Sequence, residues 1–272
     1  MNKAVKIFYS AVKCISFLAV FMALIACENG TMTDPRDGKT YKTVKIGEQV
    51  WMAENLNYET YGMCYDNNPQ NCTKYGRLYS KHSLSQVCPN GWHLPDSLEF
   101  IILLNELDLR TFKQGVGSGK NDTWDIFENA GNYLKSTTGW NDYKGSNGNG
   151  SNLAGFSAIP GGNMQLNRIL NRLFHSLGDR AFFWTSDYIY VQETHDNVVF
   201  FLEGGHNYGA FFKDSFDDSA GFSVRCIKDD KKGKEKLDSL RKEISAGFSV
   251  RCIKEDKKAK ERLDSLMKEM TK

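Results

Sequence analysis

What this 272-residue sequence lacks narrows the reading before anything it contains. Net charge is small, +2 overall. Lys3, Lys6 and Lys13 sit in the first 26 residues without an acid, so the remainder carries 32 of the 35 basic side chains against all 33 acidic ones. That balance leaves no electrostatic footprint for nucleic acid. The catalytic signatures are missing too. There is no HExxH, and no two of His82, His93, His175, His195 and His206 stand four apart on one helix face. There is no GxSxG elbow, no Walker loop and no GxGxxG after a strand. The apolar run Ile15–Ala26 has 12 uncharged residues, too few for a comfortable membrane span. What is present, 40% hydrophobic and 25% charged residues, suffices for one sizeable core. The 24 glycines and 12% aromatics favour strands and turns over a helical bundle.

The N-terminus reads as a targeting segment: a basic "MNKAVKIFYSAVK", then an apolar "CISFLAVFMALIA", then Cys27. Leu24–Cys27, "LIAC", resembles the lipobox of bacterial lipoproteins. The resemblance implies a lipid-modified Cys27 and a membrane anchor, with the chain held in the bacterial cell envelope at the outer membrane or cell surface. A plain secretory signal is the other reading, and both put the domain outside the cytoplasm. The expected organisation is a signal peptide at 1–26, a lipidated tether at 27–37, a domain at 38–228 and a charged tail at 229–272.

An extracytoplasmic compartment permits disulfides. Beyond Cys27 five cysteines remain, Cys64, Cys72, Cys88, Cys226 and Cys252, and an odd number leaves one over. Cys64 and Cys72 flank a polar turn and can bridge locally, worth about 2–3 kcal/mol. Half of a metal site is the alternative, but no second pair stands at ligand spacing.

Along the chain, "KTYKTVKIGEQVWMAENLNY" alternates around a turn and predicts a hairpin. Pro95, with Asp96 or Ser97 as cap and Glu99 in the first turn, predicts a helix burying Phe100, Leu103, Leu104 and Leu107. Residues 113–123 and 141–152 read as glycine-rich loops, with a short helical turn in "WDIFENAGNYLKST". "RAFFWTSDYIYVQ" and "NVVFFLEGG" read as strands, and "YGAFFKDSFDDSAGFSVRCIK" as a last hairpin.

The ten residues "SAGFSVRCIK" occur twice, at Ser219–Lys228 and Ser245–Lys254. Each copy is followed by a charged stretch with a narrow leucine stripe: Leu237, Leu240 and Ile244, then Leu263, Leu266 and Met270. The repeated unit is strand plus charged helix, 26 residues long. A slot for one strand holds one copy. The first is expected in the fold, its Phe222, Val224 and Cys226 on one face. The second is then a spare, with Cys252 unpaired. A disulfide-linked dimer through Cys252 and an exchange of the two copies are the alternatives, and the tail by default is solvated and partly helical.

Seven ordered segments, "RDGKTYKTVKIGEQVWMAENLNY", "YGRLYS", "CPNGWHLPD", "LKSTTGW", "GFSAIPGG", "FWTSD" and "SVRCIK", resemble the Fibrobacter succinogenes major paralogous domain over roughly 34–229. That family resembles, more loosely, the C-type-lectin-like fold shared with formylglycine-generating enzymes. The resemblance implies an α+β domain of irregular antiparallel sheets with one or two helices and long loops, plus a charged helical C-terminal tail. It also implies a bond between Cys88, near the helix entry, and Cys226 in the closing strand. "WND" at Trp140–Asp142 mimics a calcium-lectin motif but lies 86 residues before Cys226, out of place, and no EPN or QPD triplet occurs. The amides and hydroxyls of "GSNGNGSN" are poor calcium ligands without a carboxylate of their own.

These readings converge on a non-catalytic envelope lipoprotein displaying a binding or adhesion module for a glycan or surface protein. No enzyme activity, cofactor, metal or nucleic-acid partner is expected. Trp124, Tyr143 and Tyr188 border loops and are the candidate ligand contacts. An envelope scaffold acting through its tail is the first alternative. An oxidase of the formylglycine-generating type, which needs two reactive cysteines, is the second.

Overall fold

The computed structural model describes residues 29–60, 62–107, 109, 112–116, 123–167, 169–191, 194–214, 219–230, 234–235, 237–239 and 241–242. Among them, in chain order, are β1 (Asn29–Thr33), β2 (Thr40–Ile46), β3 (Gln49–Met52), β4 (Gly62–Met63), α1 (Pro69–Tyr75), β5 (Leu78–Tyr79), β6 (Trp92–His93) and α2 (Ser97–Glu106). Then follow β7 (Phe112–Val116), β8 (Thr123–Phe127), α3 (Ala130–Leu134), β9 (Gly161–Leu166), β10 (Arg172–Leu177), β11 (Arg180–Val191), β12 (Thr194–Glu203), β13 (Gly209–Asp214) and β14 (Ile227–Lys228). The strands form a five-stranded sheet of order β1-β2-β3-β14-β6, a seven-stranded sheet of order β10-β9-β11-β12-β13-β8-β7, and the pair β4-β5. The result is a mixed α and β fold built mostly of sheet.

The aromatic runs explain the large sheet. Along Ala181–Trp184 of β11 and Val198–Leu202 of β12 successive side chains point to opposite faces, and both faces are covered, so these runs read as continuous apolar stretches. Phe183 pairs with Phe200, and both enter a core with Trp51, Phe100, Leu103, Leu104 and Phe156. Phe182 and Trp184 pair with Phe201 and Val199 on the other face, in a second core with Tyr79, Phe222, Val224 and Cys226. Truncating a ring such as Phe200, which is fully buried, costs about 3–5 kcal/mol at such positions.

The helix predicted after Pro95 forms as α2. The Asp96 carboxylate accepts from the Glu99 amide at 2.8 Å, and the Glu99 carboxylate accepts from the Asp96 amide at 3.0 Å. This reciprocal cap satisfies two donors that the helix start would otherwise leave open. Phe100, Leu103 and Leu104 are fully buried, and Leu107 packs against them. A helix at α1 was not expected, the segment reading as a polar turn between Cys64 and Cys72. The polar "NNPQN" starts it, with Asn68 as cap accepting from the Gln70 amide and Pro69 in the first turn.

The first SAGFSVRCIK threads the middle of the molecule. Gly221 exchanges backbone hydrogen bonds with Met164, Phe222 with Tyr79, and Ser223 takes part with Phe182 and Trp184. Further on, the Val224 and Cys226 carbonyls accept from Leu56 and Met52, and Ile227 pairs with both Trp51 and His93. One strand therefore stitches all three sheets together, and residues 220–227 are buried throughout. Phe222, Val224 and Cys226 share one core, as the alternation implies. Cys226 bonds Cys88 across 138 residues, and Cys64 bonds Cys72 across 8.

Four expectations are corrected. The last hairpin does not form: β13 pairs with β12 and β8, because the closing segment is drawn to the junction of the sheets. Residues 112–116, read as loop from 113, form β7 and pair with β8, the glycine being tolerated in a strand at the sheet edge. Part of the polar tether is structured. Asn29–Thr33 pair with β2, and Asp34, fully buried, accepts from Arg36 Nε at 2.9 Å and Nη2 at 2.7 Å. Arg36 also donates to the Gln86 and Val87 carbonyls just before Cys88 and stacks 3.8 Å over Tyr58. The tail, finally, is not wholly solvated. Leu237 is buried, and Arg241 pairs with Asp96. The predicted signal at 1–26, Cys27, Cys252 and the second SAGFSVRCIK lie outside the described residues.

Candidate functional site

Among the described residues the most exposed aromatic feature rests on a buried lysine. Lys135 closes the C-terminus of α3 and is fully buried. Its ammonium donates to the Gly148 carbonyl at 2.7 Å and lies 3.2 Å from the carbonyl of His206, 3.3 Å from Glu203 and 3.4 Å from Gly204. The Trp140 indole sits 5.1 Å below it. Burial pushes this amine down to about 8, with the Glu203 charge opposing. Carbonyls from two segments distant in sequence thus converge on one cation, which holds the loop 141–150 against the turn 203–206.

On that support Tyr143 is half exposed. Its backbone exchanges hydrogen bonds with Ser146, both at 2.9 Å, across Lys144 and Gly145. Both central residues have positive φ, 49° and 81°, the geometry of a type I′ hairpin turn. The Tyr143 ring lies on the backbone of Gly205, where a β-carbon would come within 2.7 Å of it. Its neighbour is His206, ring centroids 6.2 Å apart, and His206 stacks on Tyr208 at 5.0 Å and 25°. Tyr208 meets Phe201 edge-on at 6.4 Å, and Phe201 belongs to the second core. Four rings therefore run from solvent to the interior. Burial raises the Tyr208 hydroxyl, and the Glu203 carboxylate adds to the effect. Such a shelf is chemically suited to packing against apolar C–H faces, with the tyrosine hydroxyl and imidazole as adjacent hydrogen-bonding groups.

Two grooves among the described residues share no lining residue with it. One, of about 410 Å³, is lined by Lys39, Lys42, Glu54, Asn57 and Lys74, with Lys39 already donating to the Asn57 carbonyl at 2.6 Å. The other, of about 650 Å³ and more open, is lined by Met63, His82, Met164, Leu166, Leu170 and Arg172. Among the described residues no group of three or more His, Cys, Asp or Glu is placed to hold a metal ion.

Two further polar nodes are structural. His93 lies between Glu99 at 2.8 Å and Asp229 at 2.7 Å. Burial alone would lower this imidazole, but hydrogen bonds and charge from the two carboxylates outweigh it and raise its pKa. Arg225, fully buried, donates to Asn55 Oδ1 at 2.9 Å, to the Ser157 carbonyl at 2.8 Å and to the Phe156 carbonyl, over the Phe156 ring. Burial pushes the guanidinium down to about 9, with Glu54 opposing, and it stays charged at neutral pH.

Of the three candidate contacts, Tyr143 stands at the surface on the shelf. Trp124 and Tyr188 have their backbones in β8 and β11 rather than at loop borders, and their side chains lie outside the described residues. No sequence motif marks Lys135, His206, Tyr208 or Arg225. The only signal for Lys135 was a lone cation directly after Tyr133 and Leu134.

The family model of the Fibrobacter succinogenes major domain matches residues 44–228. The chain belongs to that family. The family's region takes in the shelf, both disulfides and the first SAGFSVRCIK, and leaves out β1, the Asp34–Arg36 pair and the docked residues after Lys228. No curated protein matches the chain significantly, and no solved structure does.

Proposed function

We propose that this chain is a non-catalytic envelope lipoprotein, anchored through Cys27 and exposed at the outer membrane or cell surface, whose family domain binds a carbohydrate on the Tyr143–His206–Tyr208 shelf. The observation that carries the reading is the half-exposed Tyr143 ring, held over Gly205 and continued inward by stacked rings. Aromatic faces pre-set by the fold bind without the ordering cost of a mobile side chain. Supporting a C-type-lectin-like architecture is the Cys88–Cys226 bond, which ties the approach to α2 to the closing strand. An oxidase would need two reactive cysteines, and four of the five beyond Cys27 are held in disulfides. The test is a glycan array probed with the detergent-solubilised full chain and with Tyr143→Ala. Saturable binding lost in the variant supports the reading. Binding of no glycan, or equal binding by both proteins, overturns it.

A further inference from the structure

The slot occupied by Ser219–Lys228 makes its demands on ten residues, and the chain carries those ten residues twice. The backbone must hydrogen-bond with Met164, Tyr79, Phe182, Trp184, Leu56 and Met52. One face must supply Phe222, Val224 and Cys226 to a core, with the cysteine bonded to Cys88. The other must supply the hydroxyl of Ser223 to Asn55 and the guanidinium of Arg225 to Phe156 and Ser157. Phe248, Ser249, Val250, Arg251 and Cys252 repeat these side chains in order.

The flanking contacts are also largely duplicated. After the slot, Asp229 meets His93, Leu237 is buried and Arg241 pairs with Asp96. Twenty-six residues on, the corresponding positions are Glu255, Leu263 and Met267. The carboxylate and the leucine are retained, and only the guanidinium is lost.

We infer that the slot accepts either copy, so that the chain has two registers: a major one with Cys88–Cys226, and a minor one with Ser245–Lys254 seated and Cys88 bonded to Cys252. The sizes follow from the connection. With copy one seated, residues 215–218 link β13 to the slot, and with copy two residues 215–244 do. Lengthening that link from 4 to 30 residues disfavours the second register by about twentyfold. Replacing the part-buried contact of the half-exposed Arg241 with Asp96 by Met267 adds about several-fold. The minor register is therefore expected in about one to five molecules per hundred.

Interconversion consumes no oxidant. When the first copy leaves the slot, the Cys252 thiolate attacks Cys88 Sγ. The Cys88–Cys226 bond breaks as Cys88–Cys252 forms, the electron pair departs on Cys226 Sγ, and Cys226 takes up the proton that Cys252 gave.

The test uses the full chain throughout. In Cys226→Ser, non-reducing peptide mapping is expected to show Cys88 joined to Cys252 within a monomer. Free Cys88 and Cys252 thiols, or a dimer joined through Cys252, overturn the inference. A second series does not depend on the disulfide. Val224→Asp, Val250→Asp and the double variant are compared by denaturant unfolding. Val250→Asp should match the parent, Val224→Asp should lose about twenty- to a hundredfold in its folding constant, and the double variant should lose at least ten times more. If Val224→Asp is as unstable as the double variant, the second copy does not take the slot.

Discussion

The ammonium of Lys135 donates to the carbonyl of Gly148 across 13 residues, at 2.7 Å, inside the protein, and its hydrogen-bonding partners among the described residues are all main-chain carbonyls. A cation solvated by backbone carbonyls has a definite consequence. Lys135→Met keeps much of the side-chain volume but removes the donor shared by the Gly148, Gly204 and His206 carbonyls, while the Glu203 carbonyl keeps the His206 amide. The expected loss of stability is on the order of 3 kcal/mol. Hydrogen exchange should quicken first at amides of the 141–150 loop and the 203–206 turn, and a uniform change across the domain would contradict the role assigned to this lysine.

His93 predicts a pH dependence. Its imidazole titrates above the ordinary 6.5 because Glu99 and Asp229 overcome the effect of burial. The folded state therefore holds the proton more tightly than the unfolded chain. Its stabilisation is fully present below about pH 6.5 and is lost as pH rises through the raised value. The thermal midpoint of the parent should fall across that window, and His93→Gln should flatten the slope.

Arg36→Ala tests whether the stretch before the hairpin is part of the domain. Asp34 is fully buried, and the guanidinium is its main partner. Burial would raise this carboxyl, yet the hydrogen bonds and charge of Arg36 outweigh it and hold it below its ordinary value. Removing the partner should cost about 2–4 kcal/mol in chemical denaturation. Arg36→Lys should restore only part, since an ammonium cannot reproduce the two-pronged contact. The pair's contribution should vanish in acid, as pH falls below 3.8 through the lowered value.

Tyr143→Ala separates binding from folding. The ring is 47% exposed, so the stability change should stay within about 0.5 kcal/mol. Carbohydrate affinity should drop at least tenfold, about 1.4 kcal/mol. A variant that unfolds would show the ring to be structural.

What was legible in the sequence is what short-range chemistry decides. The cap on α2 needs only Asp96 and Glu99, three residues apart, and the hairpin β2–β3 needs a glycine turn between alternating strands. The local Cys64–Cys72 bridge belongs to the same class. The Cys88–Cys226 bond came from family resemblance, since no local rule pairs cysteines 138 residues apart. α1 was missed because its cap and first turn are made of the asparagines and proline that also make loops. β10 was missed because its side chains are largely exposed and carry little apolar alternation.

By itself the sequence determined the family, the apolar strand runs Ala181–Trp184 and Val198–Leu202, the capped helix and the fact that a closing segment is written twice. Only the tertiary structure decided where that segment goes, between three sheets rather than beside β13, and what surrounds Lys135 and Tyr143. The physical reason lies in the partners. Lys135 is held by main-chain carbonyls and Tyr143 by a bare glycine backbone, groups that every residue or every glycine offers. No pattern of side chains announces them until the chain has folded.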